Sequence, residues 1–168
     1  CGYVGTAVAE KWLSEGCEVW GVSRNVDTLG RIHSPGFHGV VAEVDSRDWH
    51  DQVPRSPEVV LNCVSSAGGG AEGYRKSYLG GNRSLVDWAC SAKPEKILYT
   101  SSTAVYPFMD GREVREEDAG GSDLSETGAL VLESENILLE DSVCGPLTTV
   151  LRLSGIYGPG RHYLLDQI

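Results

Sequence analysis

Glycines at the beginning of the chain have the spacing of a phosphate-binding turn. Residues 1–5 read Cys-Gly-Tyr-Val-Gly, and apolar positions with a helical period follow them. The N–H groups and the dipole at the start of a helix bind phosphate, and one more glycine ahead would complete a G-x-G-x-x-G pattern. An ordinary turn fits the partial pattern too, but its place before a helix and then a strand favours a dinucleotide pyrophosphate. The predicted contacts in this turn are Gly2, Tyr3, Val4 and Gly5.

A cationic side chain follows the next predicted strand, residues 17–23. Proteins that prefer NAD usually place a carboxylate there, about 20 residues past the glycines, to bind the ribose hydroxyls. Ser23 and Arg24 offer a hydroxyl and a guanidinium instead, which suit a 2′-phosphate. We therefore predict NADP in preference to NAD, with a solvated surface charge as the alternative role of Arg24. Asp45, which ends the predicted strand 38–45, fits equally an acceptor for the adenine amino group and a neighbour of a helix cap.

Strands alternate with helices along the whole chain, and this order would position the residues named above. The predicted strands are residues 17–23, 38–45, 57–66, 95–102 and 147–157, and the predicted helices are residues 6–16, 46–53, 72–92 and 125–142. A right-handed crossover between parallel strands needs a helix, so the alternation predicts one α/β domain, residues 1–168, with a doubly wound parallel sheet. The phosphate turn would then follow a first strand that lies ahead of Cys1, outside this sequence. The charged, Gly-rich stretch Pro107–Asp123 is a predicted surface loop.

The composition is that of one acidic globular domain. The 168 residues are 40% hydrophobic, and the formal charge of -10 argues against nucleic-acid binding, since such modules carry a basic face. No stretch approaches the roughly 20 apolar residues of a membrane span. Five cysteines without a C-x-x-C pair favour a reducing compartment and no metal site. We therefore expect a cytoplasmic protein whose partner is a small molecule, with no nucleic acid and no membrane.

Four segments of the chain resemble motifs of one protein family. They read CGYVG (1–5), YRKSYLGGNRSLVDWA (74–89), YTSSTAVYP (99–107) and LRLSGIYGPGR (151–161). Together they resemble the extended and atypical short-chain dehydrogenases/reductases, in their NAD-dependent epimerase/dehydratase branch. The resemblance implies a Rossmann-like fold, an NADP or NAD cofactor, and hydride transfer on a small carbonyl or hydroxyl compound or a nucleotide sugar. By position it also implies cofactor contacts from Val64, Ser65, Ser66, Thr100, Ser101, Ser154, Gly155 and Ile156.

The family performs its chemistry with a Ser or Thr, a Tyr, and a Lys four residues after the Tyr. Ser102, three residues before Val105, resembles the serine and would hydrogen-bond the substrate oxygen. In the predicted helix 125–142, Thr127 stands where the family has its tyrosine and Val131 where it has its lysine. A threonine hydroxyl is too weak an acid for that proton transfer, and valine carries no charge. The usual pair of catalytic residues is therefore missing.

Three explanations for the missing pair stay open. Another acid can take over: Tyr78, at a position where the family commonly has an Asn, is the first candidate, with Tyr106 and Tyr157 behind it. Thr127 stays among the catalytic candidates by its position. Alternatively, hydride transfer needs only binding and orientation, with water or the substrate handling the proton. In the third explanation the domain has lost catalysis and acts as an NADP-binding sensor or scaffold.

Apolar residues lie on more than one face of the helix predicted from about Ser125 to Glu140. They are Leu130, Ile137 and Leu138 on one face, and Leu132 and Leu139 on another. A helix that is apolar nearly all round is buried on both sides, and in the relatives this helix pairs with another subunit, so we predict a homodimer. Deeper burial in a monomer is the alternative. The relatives continue with a smaller lobe over the substrate, and without it or the first strand we expect the isolated chain to be poorly stable.

Overall fold

Parallel strands alternate with helices in the computed structural model, which describes residues 2–66 and 69–161. The strands are β1 (Val19–Ser23), β2 (Phe37–Val41), β3 (Val59–Asn62), β4 (Lys96–Ser102) and β5 (Thr148–Leu153). The helices are α1 (Tyr3–Ser14), α2 (Val26–Leu29), α3 (Gly70–Tyr74), α4 (Gly81–Ala92) and α5 (Glu126–Leu139), and a π-helical segment, Arg75–Gly80, joins α3 to α4. The predicted α/β class with a parallel, doubly wound arrangement is confirmed.

The described strands form two sheets, with the orders β1-β2 and β3-β4-β5. β4 pairs with β5 along its length, from Ile97 opposite Thr148 to Ser102 opposite Leu153. In the doubly wound order, one further strand separates two such groups. A cavity of about 680 Å³, the central cavity, lies between β1 and β3. The carboxyl ends of β3, β4 and β5 therefore lie side by side, and residues of α1 line the central cavity.

The main core joins β4 to helices α4 and α5. Ile97 and Tyr99 of β4 are fully buried, and Leu85 and Trp88 of α4 and Leu138 of α5 pack in the same cluster. Full burial of side chains of this size stabilises a fold by about 1.5–3 kcal/mol each. This cluster fixes the end of β4, where Ser101 and Ser102 stand, relative to both helices.

The helix predicted at residues 46–53 is wrong, because the segment forms a series of turns. The Ser46 hydroxyl donates to the Glu43 carbonyl at 3.0 Å and accepts from the Asp48 N–H at 3.2 Å. Such local bonds between a serine and the backbone compete with helix formation. Trp49 is also buried, and its indole N–H donates to the Val44 carbonyl at 3.3 Å. Tertiary packing of this tryptophan therefore overrides the local helix signal.

Two glycines inside the long helix of residues 70–92 allow it to approach the turn after β2 closely. A Cβ at Gly80 would lie 2.9 Å from the Asp45 Cβ, and one at Gly81 would lie 3.1 Å from a methyl of Val44. Both distances are shorter than ordinary contacts, so larger residues would push the helix away. The π-helical turn precedes this contact and contains Tyr78. Such π turns often occur at functional sites.

The stretch predicted as a surface loop, Pro107–Asp123, contains a short 3₁₀ turn, Glu116–Asp118, and is otherwise irregular. The side chain of Met109 is 97% exposed, and Arg112 bonds the Asp110 carboxylate. No helix in the described ranges is long and apolar enough to cross a membrane.

Candidate functional site

A second cavity, the edge cavity, opens at the carboxyl ends of β3, β4 and β5 and has a volume of about 240 Å³. Predicted site residues from both halves of the chain share its walls. Those residues are Gly2, Tyr3, Val4, Val64, Ser65, Tyr78, Thr100, Ser101, Ser102, Ser154 and Ile156. In open α/β sheets, ligands bind outside the carboxyl ends of the strands. The fold thus brings most of the predicted phosphate turn and two predicted catalytic hydroxyls, those of Tyr78 and Ser102, to one place.

The start of α1 is open for an anion. Gly2 is the N-cap residue, it supplies no side-chain cap, and the first turn of α1 contains no acidic residue. The first N–H groups of a helix have no partner within the helix, and the helix dipole favours negative charge there. No heavy atom lies within 4 Å of the place where a Cβ of Gly2 would stand. The donor set and the open space at Gly2 fit a pyrophosphate.

Ser23 is the last residue of β1 and Arg24 follows it, and both line the central cavity together with Gly2 and Gly5. The Ser23 hydroxyl accepts a hydrogen bond from the Asn25 N–H at 3.2 Å, so its own proton is available to a ligand. Arg24 is exposed, and no carboxylate within the described part of the chain forms an ion pair with it. A hydroxyl donor and a free guanidinium at this strand end fit a 2′-phosphate.

Three predicted cofactor residues, Asp45, Ser66 and Gly155, line neither cavity. Asp45 packs against Gly80 of the long helix, as described above. Ser66 follows Ser65, which lines both cavities. Gly155 stands between two residues that do line the edge cavity. Their roles as cofactor contacts remain predictions.

Ser102 and Tyr78 approach the edge cavity from different elements, β4 and the π-helical segment. The Ser102 hydroxyl oxygen accepts from the Ala104 N–H at 3.1 Å, which caps the short turn Thr103–Val105 and leaves the serine proton free to donate. Tyr78 is half-buried, and its ring centroid lies 5.1 Å from that of Tyr74. Burial, and next the neighbouring Tyr74, raise the pKa of Tyr78, so the phenol is protonated at neutral pH.

The family's tyrosine and lysine positions lie on α5, away from the edge cavity. The Thr127 hydroxyl lies 3.3 Å from the Ser125 hydroxyl, and Thr127 does not line either cavity. Val131 is 1% exposed and belongs to the core. A Cβ at Gly128 would collide with the Ala104 carbonyl, so this glycine lets α5 approach the turn that follows Ser102. Helix α5 therefore lies beside the serine, and the assignment of Thr127 and Val131 to the family's tyrosine and lysine positions remains a prediction.

The two other tyrosine candidates do not line the edge cavity. Tyr106 accepts a hydrogen bond from Arg152 at 3.0 Å, and Tyr157 is 66% exposed. Of the three tyrosines proposed as an alternative acid, the structure thus brings only Tyr78 to the cavity that Ser102 lines.

The edge cavity also contains residues that the sequence analysis did not select, Cys63, Leu153 and Arg161. The guanidinium carbon of Arg161 lies 5.5 Å from the centre of the Tyr3 ring, and the Tyr3 hydroxyl donates to the Pro159 carbonyl at 3.3 Å. Arg161 is the last residue of the segment LRLSGIYGPGR, and its place in this family-like segment could have identified it as a site residue. Within the described ranges, no group of three or more His, Cys, Asp or Glu side chains could hold a metal ion.

Comparisons with known proteins show the family of the chain. The NAD dependent epimerase/dehydratase family model matches residues 1–166. Protein YeeZ of Escherichia coli K12 is 26% identical over 167 residues, which cover 96% of this chain and 58% of YeeZ. A Methylobacillus flagellatus structure, provisionally assigned as an NAD-dependent epimerase/dehydratase, is 27% identical with a TM-score of 0.71, over 99% of this chain and 56% of that one.

A third comparison supports the fold alone. The dTDP-glucose 4,6-dehydratase DesIV from Streptomyces venezuelae, solved as a double mutant with NAD, is 17% identical with a TM-score of 0.81. It matches 99% of this chain and 60% of its own length. The chain therefore spans a little more than half the length of each of these relatives.

Proposed function

The chain belongs to the NAD dependent epimerase/dehydratase family, and we propose that it is the nucleotide-binding part of an NADP-dependent oxidoreductase. The proposed substrate is a small carbonyl or hydroxyl compound or a nucleotide sugar. The observation that carries the proposal is the shared edge cavity, where the uncapped start of α1 meets Ser102 and Tyr78. The edge cavity thus combines an anion site with two hydroxyl donors, which the proposed reaction would use.

The start of α1 would bind the dinucleotide's paired phosphates through its free N–H groups, with Gly2 leaving room for them. Ser23 and Arg24 would bind a 2′-phosphate, which supports NADP as the preferred cofactor; NAD, bound by the dehydratase compared above, is the alternative. When bound, the nicotinamide supplies or accepts the hydride.

Ser102 and Tyr78 would act on the substrate oxygen. Ser102 donates a hydrogen bond to that oxygen and holds it in place, since its hydroxyl proton is not used within the Ala104 cap. Tyr78 donates the proton that neutralises the oxygen as it is reduced, in the role that the family gives to a tyrosine on α5. The raised pKa of Tyr78 keeps this proton in place at neutral pH, as the reductive direction requires, and also makes the phenol a weaker acid.

The second candidate function is a non-catalytic NADP sensor or scaffold. The burial of Val131 in the core and the position of Thr127 outside the edge cavity favour it, because no lysine or tyrosine of α5 reaches the site. A sensor needs the cofactor contacts but not the proton donor. Binding without turnover would distinguish it from the enzyme.

A homodimer and a cytoplasmic location also remain proposals. Leu139, near the end of α5, is 44% exposed, and Val143 just beyond it is 40% exposed, which leaves apolar surface for a second copy. The cysteines in the described ranges are free thiols, Cys17, Cys63, Cys90 and Cys144, which supports a reducing compartment.

Turnover with NADPH tests the proposed function. The protein is mixed with NADPH and a panel of nucleotide sugars and small carbonyl compounds, and loss of NADPH absorbance is followed. We expect at least one substrate to be reduced, and reduced faster with NADPH than with NADH. Tight NADPH binding without turnover on any substrate would replace the enzyme by the sensor or scaffold.

A further inference from the structure

A buried ion pair stands directly behind the edge cavity. Arg152 of β5 donates from Nε to both carboxylate oxygens of Glu135, at 3.1 and 3.3 Å, and from Nη2 to Oε2 at 2.8 Å. The Glu135 side chain is 1% exposed and that of Arg152 is 19% exposed. The Ser101 hydroxyl donates to the same carboxylate. β4, β5 and α5 are therefore connected next to Ser102.

The other terminal nitrogen of Arg152 reaches a different part of the chain. Nη1 donates to the Tyr106 hydroxyl at 3.0 Å and to the Glu116 carbonyl at 2.6 Å. Both acceptors belong to residues 103–118, which we call the strap; it starts directly after Ser102 and is exposed along most of its length. Within the strap, Val105 is fully buried and Met109 is 97% exposed. Arg152 thus connects the strap to the sheet at two points.

Stability alone is a weak reason for such a pair. Removing two charges from water costs several kcal/mol for each ion, and apolar pairs of similar volume are often as stable. The planar guanidinium has a property that apolar residues lack, because it offers donors in fixed directions to several acceptors at once. Here Nη2 of the guanidinium binds the Glu135 carboxylate, and Nη1 binds the strap. The hydrogen bonds to Glu135 raise the pKa of Arg152, so the cation persists at every ordinary pH.

We propose that Arg152, held by Glu135, is a positioning residue that clamps the strap and thereby holds Ser102 in place at the edge cavity. The inference rests on the proposed function insofar as it concerns Ser102. The serine caps the first turn of the strap through the Ala104 N–H, so movement of the strap moves the hydroxyl. Loss of the clamp should therefore misplace the substrate oxygen while leaving the phosphate contacts at α1 intact.

The main test is the double variant Glu135→Leu/Arg152→Met, which replaces the ion pair by apolar side chains and removes the clamp. Arg152→Lys is the second variant. It keeps the positive charge but loses the planar guanidinium and its fixed donor directions. The control is Arg83→Gln. It breaks an exposed ion pair between Arg83 of α4 and Glu133, which lies on α5 as Glu135 does. Readouts are thermal unfolding, NADPH affinity, kcat and KM, and the rate of tryptic cleavage after Arg112 and Arg115 in the strap.

We expect the double variant to unfold near the temperature of the parent and to bind NADPH equally well. Its kcat should fall about 100-fold with KM little changed, as for a misplaced reacting group. Cleavage in the strap should be about tenfold faster, because the open form is more populated. Arg152→Lys should resemble the double variant, and Arg83→Gln should resemble the parent.

If the double variant has the kcat and the cleavage rate of the parent, Arg152 does not clamp the strap. A kcat that falls only in proportion to lost stability and lost NADPH affinity would also overturn the proposal, since that pattern marks a purely structural pair. If the parent itself binds NADPH without turnover, the proposed reaction has failed, and the cleavage rates alone decide whether Arg152 holds the strap.

Discussion

Tyr78 and Ser102 line the same cavity, so removing the Tyr78 hydroxyl tests whether it donates the proton. We predict that Tyr78→Phe lowers kcat by about 10²–10⁴-fold, the usual contribution of a general acid, and leaves NADPH affinity unchanged. Tyr74→Phe is the matched control, because that ring lies 5.1 Å from Tyr78 but does not line the edge cavity. Steady-state kinetics of the two variants make the measurement. Full turnover in Tyr78→Phe would remove Tyr78 from the mechanism.

The pH dependence follows from the direction of the Tyr78 shift. Burial raises the pKa of this phenol above its ordinary value of about 10, so the proton donor is present across the neutral range. Reductive kcat should therefore be flat through neutral pH and fall only at strongly alkaline pH. In the oxidative direction the phenolate is needed, and kcat should rise with pH throughout. A reductive profile that falls near pH 7 would show that a different group donates the proton.

Arg24 is the residue that sets the predicted choice of cofactor. A hydrogen bond to a charged group contributes about 1.5–3 kcal/mol, so Arg24→Gln should weaken NADPH binding about 10–100-fold and leave NADH binding unchanged. Fluorescence titration with both cofactors measures this. Arg31→Gln, at another exposed arginine, is the control and should bind both cofactors as the parent does. An equal loss for NADPH and NADH would show that Arg24 does not contact a 2′-phosphate.

Helix α5 contains the predicted departure from the family, because Val131, at the position predicted for the lysine, packs in the core. A lysine there would place an unpaired charge in an apolar environment. We predict that Val131→Lys lowers the free energy of unfolding by about 3–5 kcal/mol, whereas Leu139→Lys, on the exposed side of the same helix, changes it little. Thermal or urea unfolding measures both. A stable Val131→Lys variant would mean that the lysine position opens toward the site.

Most helices and strands could be predicted from the sequence, because hydrophobic periodicity and turn residues depend on interactions between residues close in the chain. Gly16 ends the α1 region in a left-handed conformation, φ 86, as expected of a glycine just past a helix. The turns around Trp49 and the π-helical segment that presents Tyr78 were not readable. Both depend on distant contacts, such as the approach of Gly80 to Asp45, which no local pattern encodes. The short helix α2 was also missed, although Asn25 supplies its cap.

The sequence predicted several residues of the candidate site but not how they are arranged. Sequence likeness selected Ser102 and the turn at Gly2, and the fold brings both to the edge cavity. Arg161 and the Arg152–Glu135 pair were missed, because their roles depend on which side chains meet after folding. The identity of the substrate was not readable, since fold likeness is a weak guide to it.

The two sheets lie on either side of the central cavity, and Gly2, at the start of α1, lines both the central cavity and the edge cavity. The nucleotide would therefore extend from Arg24, beyond β1, across α1 to Ser102 at the end of β4. Each half of the chain contributes one end of this site. The start of α1 is the element common to both, so the account depends most on its ability to bind phosphate.

Binding of NADPH by the variant Gly2→Asp, measured by calorimetry beside the parent, tests that dependence most directly. A side chain at Gly2 meets no neighbour within 4 Å, so the fold should tolerate it. The aspartate would cap α1, which stabilises the helix by only a few tenths of a kcal/mol relative to glycine, and its charge would add about 0.3–1 kcal/mol through the helix dipole while repelling the pyrophosphate. We predict a higher unfolding temperature together with loss of NADPH binding. Parental affinity in a folded Gly2→Asp protein would contradict the account, because the phosphates would then bind elsewhere.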